Sequence, residues 1–71
     1  MTAGNALSMS IRAAVSCGWI VAFHPDKTRP TLHSWTCAMA RAGVSVSCYF
    51  GGDDAAALNA DWIREVIRAN A

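Results

Sequence analysis

Seventy-one residues form a single domain, and a chain this short buries only about 60% of the surface its unfolded form exposes. With 54% hydrophobic and 15% charged residues it is too apolar for disorder, and the apolar surplus points to a partner surface or a homodimer interface. Six basic residues spread over the chain against five acids give a net charge of +1, without the dense basic stripe that binding to phosphates needs, so nucleic acid ranks behind protein as a partner.

The first element is "NALSMSIRAAVSCG", residues 5–18. Helical spacing places Leu7, Ile11, Ala14 and Val15 on one stripe, with Asn5 as cap and Gly18 as stop. A period of two places Leu7, Met9, Ile11, Ala13 and Val15 on one face of a strand. The alanine content and the closing glycine favour a helix of about ten residues. Arg12 and the interspersed serines keep residues 3–23 well short of the roughly 20 apolar residues that cross a bilayer, so no membrane association is expected. "AVSC" resembles a lipoprotein cleavage box but lacks the hydrophobic region between Arg12 and Cys17.

"GWIVAFHP" reads as a strand, rich in β-branched and aromatic residues and bracketed by glycine and proline. Its nearly continuous apolar character suggests cover on both sides or a place near the middle of a sheet. The polar loop "HPDKTRPT" follows, with proline and aspartate in turn positions and Pro30 opposing any helix through it. His24-Pro25-Asp26 resembles the signature tripeptide of J-domains, which implies docking on a chaperone ATPase through a loop that follows a long basic helix. Here an apolar strand precedes the tripeptide, Arg12 is the only basic residue before it, and β-type alternation follows. Turn chemistry accounts for the match.

Residues 31–50, "TLHSWTCAMARAGVSVSCYF", admit two readings. Residues 31–42 could form a helix with Thr31 as cap and Gly43 as stop, Leu32, Trp35, Met39 and Ala42 sharing a face. Alternatively, a two-residue loop at Ala42-Gly43 makes a hairpin that pairs Arg41 with Val44, Met39 with Val46, Cys37 with Cys48 and Trp35 with Phe50. The hairpin is preferred, because it gathers the large apolar side chains on one face and leaves Thr36, Ala38, Ser45 and Ser47 on the other. After Gly51-Gly52 the period changes. Ala55, Leu58, Trp62, Ile63, Val66 and Ile67 recur at helical spacing while Arg64, Glu65 and Arg68 point outward. Asp53 or Asp54 can cap this helix, and Asn59 offers a later start with Leu58 and Ile63 as a hydrophobic staple.

The expected fold is therefore α+β: helix, three-stranded antiparallel meander, helix (αβββα), with both helices on one sheet face. Double-stranded-RNA-binding domains have a similar order of elements, which implies a basic start to the last helix. This chain reads "GGDDAAAL" there, with charge of the opposite sign.

Three cysteines, Cys17, Cys37 and Cys48, form no close pair and suit buried thiols in a reducing cytoplasm. Cys37 and Cys48 would suit a cross-strand disulfide if oxidised. With His24 and His33 they do not match the paired ligand spacing of zinc sites, so neither a metal nor a cofactor is expected. The cysteines fall on the core face, away from His24 and Asp26 in the loop, so no nucleophile–base set assembles. The sequence reads as a non-catalytic protein-binding module, similar in size and style to phage or mobile-element accessory proteins that inhibit a host defence protein by covering it. The candidate contact residues are Tyr49 and Thr36 on the polar sheet face, rimmed by Arg41, Lys27 and Arg29. A small nucleic-acid-binding or regulatory protein using those basic residues is the alternative.

Overall fold

The computed structural model describes residues 3–28 and 33–71; residues 1–2 and 29–32 lie outside the described part, and with them Arg29. The elements follow in the expected order: α1 (Ala3–Ser16), β1 (Ile20–Pro25), β2 (Ser34–Arg41), β3 (Val44–Gly51) and α2 (Ala55–Ala69). The strands form an antiparallel meander in the order β1-β2-β3. The two helices pack on each other and on one face of the sheet, giving an α+β slab with Cα extents of 36 × 28 × 15 Å. The short dimension leaves room for one helical layer only.

The hairpin pairs as its alternation requires: Arg41 with Val44, Met39 with Val46, Cys37 with Cys48 and Trp35 with Phe50. Ala42 and Gly43 both take positive φ, 49° and 84°, as a two-residue type I′ loop demands. The loop's right-handed twist matches that of the strands, which is why so short a connection suffices.

The core lies between sheet and helices. Cys37, Met39 and Phe50 contribute from the sheet, Ala14 from α1, Ala55, Ile63 and Val66 from α2, and Trp19 from the α1–β1 turn. Phe50 meets Trp62 edge-on, with ring centroids 5.8 Å apart. Small buried residues, Ser10 and Ala14 on α1 and Ala60 on α2, let the helices approach closely, and the Ser10 hydroxyl bonds back to the Ala6 carbonyl at 2.9 Å.

The end of α1 is closed by a Schellman motif. Gly18, at φ 89°, donates its N–H to the Val15 carbonyl at 3.0 Å, and Trp19 donates to Ala14, also at 3.0 Å. This turn drives the Trp19 indole into the core.

Four local expectations are corrected. Helix α1 is 14 residues long and begins before Asn5, which sits inside it rather than capping it. Strand β1 is an edge strand covered on one side only, and Ile20 is 72% exposed. A three-strand meander leaves its first strand at an edge whatever that strand's composition. Neither Asp53 nor Asp54 makes a side-chain cap to α2; Asp54 occupies the cap position without that bond. Asn59 is fully buried inside α2, where its Oδ1 accepts the Trp35 indole N–H at 2.7 Å, and Leu58 is 53% exposed instead of packed inward.

Candidate functional site

Alternation along the strands assigns every sheet residue to a side. Val21, Phe23, Trp35, Cys37, Met39, Val46, Cys48 and Phe50 face the helices. On the open side the registry sets three cross-sheet rows: His24–Thr36–Tyr49, then Ala22–Ala38–Ser47, then Ile20–Ala40–Ser45. Their side chains are small apart from the exposed His24, Tyr49 and Ile20, the last two standing 51% and 72% exposed. The result is a flat, uncharged face with an apolar patch (Ile20, Ala22, Ala38, Ala40) and a border of hydroxyls and one imidazole.

Tyr49 is held in place. Its ring leans over Gly51: a Cβ on that glycine would sit 3.4 Å from Tyr49 Cε1 and 3.3 Å from Ser34 Cβ. The phenol donates to Asp26 Oδ2 at 3.0 Å. The other carboxylate oxygen of Asp26 accepts the Thr28 N–H at 3.0 Å and the Thr28 hydroxyl at 2.6 Å, an Asx turn that holds the end of β1. The "HPDKT" turn therefore ties its aspartate to the phenol of β3, across the full width of the sheet. Nothing in the tripeptide's own sequence announces that role.

The five candidate contact residues separate. Thr36 and Tyr49 are directly paired neighbours on the open face. Lys27 is exposed in the turn beside Asp26, and Arg29 lies outside the described residues. Arg41 sits on the helix side. One guanidinium nitrogen donates to the Cys17 carbonyl at 3.0 Å and another to the Asn70 carbonyl, while the group lies 4.8 Å from the centre of the Trp19 ring. A single arginine thus caps the C-terminal ends of both helices, where the macrodipoles are negative. For both ends to meet one side chain, α1 and α2 must run parallel. Of the other basic residues, Arg12 and Arg64 are exposed on the helices, and Arg68 pairs with Glu65 on α2.

His24 lies on the open face while Cys37 and Cys48 lie on the helix side, so this histidine and these thiols are separated by the sheet. All three cysteines are free; Cys37 is buried and Cys48 half-buried, but Cys17, expected to be buried, is exposed just past the end of α1. Burial pushes the Cys37 thiol above its ordinary value; the neighbouring Asn59 side chain opposes that, and Cys48 across the pair adds to the rise. No group of three or more His, Cys, Asp or Glu among the described residues is placed to hold a metal ion. No helix is long and apolar enough to cross a membrane, among the same residues. A shallow depression of about 340 Å³ at the start of α2 is lined by His33, Trp35, Gly52, Asp53, Ala55 and Ala56. Small apolar groups form most of its wall, and it is wide open to solvent.

No protein-family model, curated protein or solved structure gives a significant match to the chain.

Proposed function

We propose that the protein is a small non-catalytic binding module that uses the uncovered face of its sheet to cover a surface on another protein. Phage and mobile-element accessory proteins that inhibit host defence proteins work by such occlusion, and this chain's size and compactness suit that role. The observation that carries the reading is the open face itself. It combines a flat apolar centre, a polar border and one aromatic side chain anchored at both ring and hydroxyl, the composition of a protein contact. An anchored tyrosine loses little freedom on binding, which favours affinity. The face carries no lysine or arginine, and Arg41 is committed to the helix ends, so contact with a phosphate backbone has less support.

The test is capture from host lysate by the immobilised protein, comparing wild type with Ala38→Arg and Tyr49→Ser. Both positions point away from the core, so both variants should keep the wild-type circular dichroism. Ala38→Arg should keep the melting midpoint as well, and Tyr49→Ser should lower it only by the loss of the exposed bond to Asp26. A protein retained by wild type should be lost from both. Retention of the same partner by both variants would refute the assignment of the face. Retention of mixed-sequence nucleic acid that falls steeply with added salt would instead support the regulatory alternative.

A further inference from the structure

β3 is an edge strand, and its outer side pairs with no other strand among the described residues. In the β2–β3 hairpin the two-residue loop makes Arg41–Val44 a hydrogen-bonded pair, and the alternation continues through Met39–Val46 and Cys37–Cys48. The N–H and C=O groups of Ser45, Ser47 and Tyr49 therefore point away from β2. The weak contact from the Cys48 thiol to the Tyr49 carbonyl, at 3.8 Å, is consistent with an outward carbonyl that no strand pairs. Protected edges carry a charge, a proline or a bulge. β3 runs Val44–Gly51 as "VSVSCYFG", with none of these and an unbroken register. The β1 edge differs, since it ends at Pro25, which has no N–H to offer.

We propose that β3 pairs antiparallel with β3 of a second copy, about a two-fold axis through Ser47, to form one six-stranded sheet. Backbone parity and overlap select this register: Ser45, Ser47 and Tyr49 turn their N–H and C=O groups outward, and Ser47 is the middle one. An axis there pairs all three and keeps like faces together, while the uncharged strand offers a second copy no repulsion. Ser47 meets Ser47 of the second copy and Ser45 meets Tyr49, each pair exchanging both outward backbone bonds. Val46 meets Cys48 and Val44 meets Phe50 on the helix side. Apolar faces apolar, hydroxyl faces hydroxyl, and no like charges oppose each other.

The helix layer provides for the same junction. Trp62 sits against Phe50 of β3, and Leu58 lies one turn earlier on the same stripe of α2. Leu58 is 53% exposed, and Val44, on the helix side of β3, is 38% exposed. A strand pair alone falls short of the roughly 1,600 Å² of a standard interface, and this apolar flank supplies further area beside it. The inference stands apart from the use of the open face, although pairing would join two such faces into one.

Sedimentation velocity across a concentration series tests the pairing, with circular dichroism confirming the fold of each variant. Ser47→Lys and Ser47→Glu each set like charges against each other on the axis, at a solvent-facing position that the isolated protomer tolerates. Wild type should sediment as a dimer at tens of micromolar. Each variant alone should dissociate up to about fivefold more readily, and an equimolar mixture of the two should recover the dimer. Ser47→Pro removes only an outward-pointing N–H and should give a folded monomer. A wild-type monomer throughout the series, with β3 left to accept a strand from a different protein, would overturn self-pairing. So would dimers indifferent to charge at position 47, or open-ended assembly.

Discussion

Replacing Arg41 tests whether one side chain secures the ends of both helices. Its two bonds to the Cys17 and Asn70 carbonyls are charge-assisted but partly solvated, which suggests about 1 kcal/mol each. Stacking on Trp19 adds about 0.5–1 kcal/mol. Arg41→Ala should therefore cost about 3 kcal/mol. A chain of this length has roughly 4–11 kcal/mol in all, so the loss removes a large share. Arg41→Met keeps an unbranched stem over Trp19 but loses the donors and the charge; a thioether contact with the ring offsets part of the lost cation–π attraction, so about 2 kcal/mol is expected. Arg41→Lys keeps the charge but cannot fork between two carbonyls, and should recover less than half of the loss. Urea unfolding followed by tryptophan fluorescence gives these differences as shifts of midpoint at unchanged slope. If Arg41→Met unfolds within about 0.5 kcal/mol of wild type, the double cap contributes nothing and the argument fails. If the double cap holds, reduced partner capture by an Arg41 variant would reflect loss of fold as much as loss of contact.

Other outcomes follow from named contacts. Ala42 holds φ 49° without glycine's freedom, so Ala42→Gly or Ala42→Asn should stabilise the hairpin by about 0.5–1 kcal/mol, read as a higher melting midpoint. Thiol labelling with an alkylating reagent should modify exposed Cys17 first and Cys37 only on unfolding, because Cys37 is fully buried and its thiol is held protonated by that burial. Asn59→Ala removes the acceptor of the Trp35 indole and opens a cavity in α2's buried stripe, for a loss of about 2–4 kcal/mol in urea unfolding. Arg68 hydrogen-bonds Glu65 and holds its carboxyl below the ordinary value. Any stability gained from this pair exists above the ordinary value and is lost as pH falls through the lowered one. Both side chains stand in solvent, so Glu65→Gln should leave the neutral-pH melting midpoint unmoved.

The hairpin was legible because two independent local signals agree there, a glycine-containing two-residue loop and strict alternation on both sides of it. The same alternation separated Tyr49 and Thr36 from the core. The last helix was legible from its 3.6-residue period. What escaped sequence reading depends on distant partners. The acceptors of Arg41 lie 24 and 29 residues away in sequence, and its charge alone suggested a surface contact. Asn59 looked like a cap because asparagine favours caps, while its partner Trp35 is 24 residues back. The bond from Tyr49 to Asp26 spans 23 residues and joins strands that are not neighbours. Composition misled for β1, since apolar residues on both sides of a strand mean burial only when something covers both sides. Ile20 shows that here nothing in the protomer does.

The parallel arrangement of the helices has a consequence for the order of folding. The β2–β3 hairpin closes through a tight loop and can form while the chain is still short, since small loops are cheap to close. α1 touches its neighbour β1 only lightly. Its stripe of Leu7, Ile11 and Ala14 packs beside α2, some fifty residues downstream, and its last carbonyls wait for Arg41. During synthesis α1 therefore emerges before α2 but completes its packing only after it. Until α2 emerges, the part of α1's apolar side that faces α2 stays bare and exposed to misassociation.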